Sequence, residues 1–112
     1  MNQLLAYKIA PKASWKPSNF WSELDLKDGY IHLSTKDTLV ETAEKWYRGQ
    51  TGLLLICLDL SKQENVRWEP SRNNQLFPHI YGQVNEQAIV WVKDLPPSPV
   101  NSGSFAFPDG VL

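Results

Sequence analysis

Residues 28 to 46 read DGYIHLSTKDTLVETAEKW, and three kinds of local order follow one another within them. Asp28-Gly29 is a turn signal, because glycine takes the backbone angles that close a turn at little steric cost. Tyr30-Ile31-His32-Leu33 then has the aromatic and β-branched character of a short strand. Ser34-Thr35-Lys36-Asp37 supplies cap-type residues, and Thr38 with Glu41 has capping-box spacing, so a helix is expected to begin in this region. Leu39, Val40, Ala43, Trp46 and Tyr47 fall on one helical face, and Gly49 is a natural terminator beyond Arg48. A strand therefore hands the chain to its main helix just after His32, which is one of only two histidines.

Outward from this stretch the pattern is of short strands. QLLAYKI at 3 to 9 has the length and bulk of a first strand. Pro11 and SWKPSNFW predict a turn and then a short, Trp-rich helical or irregular segment, since Pro17 opposes a long helix. LLLICLDL at 53 to 60 is apolar on both faces, the signature of a central strand covered on both sides. Val66 to Glu69 is a short strand closed by Pro70, SRNNQ at 71 to 75 is a polar loop, and QAIVWVK at 87 to 93 is another strand. From residue 96 the segment PPSPVNSGSFAFPDGVL is expected to lie over the surface or fray, docked by Phe105 and Phe107. These features predict one compact α+β domain over residues 1–95, with a mixed or mainly antiparallel sheet, one main helix and a tail over 96–112.

Composition narrows the function. With 112 residues, 42% of them hydrophobic, the chain can bury a core without staples. Eleven basic against twelve acidic residues create no global field to attract nucleic acid or an anionic membrane, so an anionic ligand must be held by local groups. LLLICL is too short to span a bilayer, and MNQLLAYK lacks the basic start and cleavage site of a signal peptide, so the cytoplasm is the expected compartment. The single cysteine, Cys57, lies in that apolar run and reads as a buried small hydrophobe rather than a nucleophile.

The second histidine occurs in FPHIYG at 77 to 82. Both histidines are flanked by apolar residues that fix the backbone, Ile31 and Leu33 in one case, Pro78 and Ile80 in the other, which suits presentation of a polar ring to a cleft. Each alone could equally be a satisfied core residue. Ser34, Thr35, Arg67, Glu69, Arg72, Asn73, Asn74 and Tyr81 are the polar groups that can converge with them, WEPSRNN being either a contributor or a solvated loop. A zinc site needs closely spaced ligands, whereas the histidines lie far apart in sequence and Cys57 is buried, so no metal is expected. Dinucleotide-fold, P-loop and α/β-hydrolase glycine signatures are missing, and nothing puts Ser34 on a nucleophile elbow for a triad with His79 and Glu69. Two histidines, an arginine and several hydroxyls suit the gripping of ribose hydroxyls and a phosphate, with Tyr30, Trp68 and Tyr81 as rings able to sandwich a heterocycle.

The succession YKI, DGYIHLST, a helix, GLLLICLD, RWEPSRN, LFPHIYG and AIVWV, over about residues 5 to 108, resembles the family known as domain of unknown function 952. That family is similar in fold to the ADP-ribosyltransferases, in the branch of the RNA 2'-phosphotransferases, where two histidines replace the more usual His-Tyr-Glu set. The resemblance implies that His32 binds the NAD ribose and that His79 sits beside the nicotinamide, with a hydrophobic third position in the AIVWV strand. It further implies cleavage of the nicotinamide-ribose bond, with Glu69 or His79 orienting or deprotonating the acceptor and Arg72, ranked above Arg67, pairing with the pyrophosphate. Ser34, Thr35 and Tyr81 complete the expected nucleotide contacts. The chain lacks the basic RNA-binding part of an RNA 2'-phosphotransferase, so the substrate does not carry over. Two other readings remain: a module that binds NAD or ADP-ribose without turnover, and a structural or partner-binding domain with core histidines.

Overall fold

The computed structural model describes residues 4–71 and 74–112. Arg72 and Asn73 lie outside these, so the expected pyrophosphate contact of Arg72 is not among the described features. The elements in order are β1 (Leu5–Pro11), α1 (Glu23–Asp28), β2 (Ile31–His32), α2 (Lys36–Trp46), β3 (Leu53–Asp59), β4 (Val66–Pro70), β5 (Leu76–Ile80) and β6 (Ile89–Leu95), with single 3-10 turns at Leu60–Lys62 and Glu86–Ala88. Two three-stranded sheets form, β1-β3-β6 and β2-β5-β4, and every strand pair in them is antiparallel. Tyr7 and Ser34 exchange both backbone hydrogen bonds at 2.8 Å, which fastens β1 to the chain just beyond β2. The architecture is the expected small α+β domain. Among the described residues, no helix is long and apolar enough to cross a membrane.

β3 organises the core. All seven of its residues are buried, because β1 and β6 flank it and both of its faces are covered. Leu54, Ile56 and Leu58 pack with Ile31, Leu33 and Ile80 on the back of the second sheet, whereas Leu53, Leu55 and Cys57 pack with Leu39 and Ala43 of α2. Phe105 and Val111 join the α2 side, with Phe107 partly buried against it, so the proline-rich end of the chain seals that layer. Burial raises the Cys57 thiol to about 11, in keeping with an inert thiol.

α2 begins at Lys36, in the expected region, with Thr35 of the cap-type run as its N-cap; the capping box pairs Thr35 with the buried Thr38, whose Oγ1 accepts from the Thr35 N–H at 3.0 Å, rather than Thr38 with Glu41. Two further local expectations are corrected. Trp46 leaves the apolar face and is 57% exposed, since the helix ends there and the indole reaches outward. Phe77 to Ile80 of FPHIYG lie in β5, a strand the sequence pattern does not predict. Pro78 is tolerated in it because β2 pairs only with His79 and Ile80, leaving no β2 ladder at Pro78 for its missing N–H to interrupt.

Candidate functional site

The second sheet brings the histidines together through its register. His32 lies directly opposite His79 in the β2-β5 pair, so both side chains leave the same face. Alternation then sorts the neighbours: Ile31 and Ile80 turn to the core, while Tyr30, His32, His79 and Tyr81 share the other face with Arg67 and Glu69 of β4. Tyr30 stacks on His79 with ring centroids 4.1 Å apart and lies 4.7 Å from His32. The two imidazoles are 5.5 Å apart. A cavity of about 400 Å³ opens here, with His32, His79, Ser34, Tyr30, Asp28 and Trp46 among its lining.

Each imidazole is held from behind. Glu69 Oε1 lies 2.9 Å from His79 Nδ1 and accepts a hydrogen bond from the Tyr81 hydroxyl at 2.6 Å. Those two bonds hold the Glu69 carboxyl below its ordinary value. Burial lowers the His79 pKa, outweighing the opposing bond to Glu69, so the neutral ring is favoured. Its proton then sits on Nδ1 toward Glu69, and the Nε2 lone pair is left for the cavity. Glu69 and Tyr81 therefore act through His79, and neither lines the cavity. Arg67, opposite His79 in the β4-β5 register, lies over the Tyr81 ring at 4.8 Å and is not among the cavity-lining residues.

His32 is set by residues that sequence reasoning missed. Asp25, fully buried in α1, directs Oδ1 to the His32 backbone N–H at 3.0 Å and to Nδ1 at 2.6 Å. Its Oδ2 accepts from the Ser22 N–H at 2.9 Å and from Lys8 Nζ at 2.6 Å. Burial by itself would raise this carboxyl, but the bond to His32 and the charge of Lys8 prevail and hold it far below the carboxylate range. Lys8 is 4% exposed; burial draws its pKa down against the pull of Asp25, and it also donates to the His32 carbonyl at 3.3 Å. On the solvent side, His32 Nε2 meets Asp28 Oδ2 at 3.0 Å. The sequence carried two faint signals: Ser22 and Asp25 have capping-box spacing, and Lys8 sits between apolar residues of the first strand. Neither reveals that a helix-start carboxylate is buried against both a lysine and a histidine.

Of the other expected contacts, Ser34 lines the cavity, whereas the Thr35 hydroxyl faces Thr38 Oγ1 at 3.2 Å. Trp68 is 39% exposed on β4 and away from the cavity lining. Ser71, from the WEPSRNN stretch, does reach the lining. Among the described residues, no group of three or more His, Cys, Asp or Glu side chains is arranged to hold a metal ion.

Comparison with curated proteins gives no match. Among solved structures, the crystal structure of protein CC0527 from Caulobacter crescentus matches with a TM-score of 0.86 at 33% identity, covering 96% of this chain and 98% of that one. The solution NMR structure of CC0527 matches with a TM-score of 0.75 at 35% identity, covering 89% and 90% respectively. Residues 9–92 match the family described as protein of unknown function, DUF952, and the chain belongs to that family.

Proposed function

We propose that the cavity binds NAD or an ADP-ribose-containing nucleotide and that the protein is an ADP-ribosyltransferase-like enzyme. The observation that supports it most is the register pairing of His32 with His79, which holds two imidazoles 5.5 Å apart on one cavity wall beside an aromatic ring able to contact a planar base. The cavity volume is in the range that takes a small ligand or part of a larger one. In this reading the nicotinamide-ribose bond breaks through an oxocarbenium-like state, whose positive charge is favoured by the Asp28 carboxylate on the cavity wall. The acceptor's oxygen or nitrogen bonds to the ribose carbon, nicotinamide leaves as a neutral base, and the acceptor's proton passes to His79 Nε2. Glu69 orients His79 and stabilises the imidazolium that results. Arg72 remains the proposed partner of the pyrophosphate, and the ADP-ribosyltransferase-like fold belongs to the same proposal.

A binding module without turnover is the second reading. It is favoured by the engagement of Glu69 Oε1 with His79 and Tyr81 and by the place of Glu69 outside the cavity lining. Calorimetric titration with NAD, ADP-ribose and nicotinamide, combined with chromatographic detection of released nicotinamide, separates the two. The expected affinity is micromolar to millimolar, about −4 to −8 kcal/mol. Binding with release supports the enzyme, binding without release supports the module, and no heat with any of the three ligands overturns both.

A further inference from the structure

The contact between His32 and Asp28 has an unusual chemical character. Asp25 clamps His32 through both its backbone N–H and Nδ1, so the ring is fixed and its Nδ1 carries a proton. In the neutral ring, Nε2 then faces Asp28 Oδ2 at 3.0 Å as one acceptor against another, and only the doubly protonated ring makes that contact a hydrogen bond. The partner free to yield is Asp28, the last residue of α1, whose side chain is 34% exposed and which precedes Gly29 at φ 87°. A ligand that brings two adjacent O–H groups satisfies both acceptors at once. If the ring is doubly protonated, the same ligand accepts from Nε2–H and donates to the carboxylate.

Charge points the same way. Lys8, the lysine in the lining, is tied to Asp25, so the described wall around His32 offers carboxylates rather than a free cation. That end of the cavity suits a neutral hydroxylated group and disfavours a phosphate.

We infer that Asp28 and His32 together form a subsite for the vicinal diol of a ribose ring, with Asp28 a ligand-binding residue. The inference rests on the nucleotide reading of the cavity and names the part of the nucleotide that this wall holds. On binding, the Asp28 carboxylate turns from Nε2, one hydroxyl bonds to Nε2, and its neighbour donates to the carboxylate.

The test is a cycle using wild type, Asp28→Asn and Asp28→Ala, each titrated with nicotinamide mononucleotide and with its 2'-deoxy form. Asp28 lies outside the core, and matched melting curves establish that the variants are folded. The wild type should prefer the ribose form by tenfold or more. Asp28→Ala should abolish that preference while leaving the affinity for the deoxy form within about twofold, and Asp28→Asn should retain part of it. Equal weakening of both ligands by Asp28→Ala, or no weakening of either, overturns the inference while the nucleotide reading stands. If the wild type binds neither compound nor NAD, the nucleotide reading falls, and methyl β-D-ribofuranoside followed by NMR of the His32 ring then judges the subsite alone. A ring shift in wild type that is lost in Asp28→Ala upholds the diol subsite; no shift in wild type overturns it.

Discussion

Replacing Asp25 with Asn is expected to cost more stability than removing any other single charge described in the protein. Each Asp25 oxygen accepts two hydrogen bonds: Oδ1 from the His32 N–H and Nδ1, Oδ2 from the Ser22 N–H and Lys8 Nζ. An asparagine must turn its NH2 toward one of these pairs, so a donor meets donors on whichever side it faces, while the Lys8 ammonium stays buried without its counter-charge. Stranding one member of a buried ion pair costs about 3–5 kcal/mol. For a domain of this size that lowers Tm by about 12–20 °C. Lys8→Met should cost less, about 1.5–3 kcal/mol, because Asp25 then keeps the imidazole and two backbone N–H groups. Urea denaturation of wild type and both variants at pH 7, with unchanged m-values, measures the difference. A loss below about 1 kcal/mol for Asp25→Asn, or a larger loss for Lys8→Met, would refute the assignment of Asp25 as the anionic hub beneath His32.

His32→Ala and His79→Ala should each cost about 1–2 kcal/mol through lost hydrogen bonds and stacking, less than the roughly 3 kcal/mol of Leu55→Ala in the fully buried centre of β3; melting curves of the three variants give the ranking. Stability should fall as pH drops below 6.5, the ordinary histidine value, because the folded state holds His79 with a lowered pKa and the unfolded chain takes up its proton first. A further fall is expected below 3.8, the ordinary aspartate value, as the depressed Asp25 carboxyl is driven toward protonation; denaturation midpoints between pH 8 and pH 3 follow both steps. Cys57, fully buried with its thiol raised to about 11, should react with a thiol reagent only as fast as the protein unfolds, which a comparison of labelling rates with and without urea measures.

How far the sequence speaks depends on what kind of information each feature carries. β3 was legible because an uninterrupted apolar run has one economical use, and the turn, strand and helix around His32 were legible because each carries its own local chemistry. β5 was hidden by Pro78, whose acceptability depends on how soon β2 ends, a matter of pairing rather than composition. Both histidines could be nominated from their apolar flanks, yet their meeting is fixed by the cross-strand register of β2 and β5. Asp25 and Lys8 were only faintly marked, for a related reason. A lysine in a strand and an aspartate in a helix start are ordinary solvated residues until the fold brings them together. Glu69 and Tyr81 were nominated only as polar groups able to converge on the site; strand geometry joins them to each other and to His79 Nδ1, outside the cavity lining, and the Thr35 hydroxyl turns to the start of α2.

The central claim is that His32 and His79 jointly line the binding site of a nucleotide. With only two histidines in the chain, NMR of the ring nitrogens yields two resolvable imidazoles, and titration with NAD reads both in one experiment. The account predicts that both rings shift with the same saturation curve, at a midpoint between micromolar and millimolar, while the Leu55 methyls stay unmoved. Rings that remain unperturbed at saturating millimolar NAD and ADP-ribose, or a shift confined to residues remote from the cavity, would contradict it.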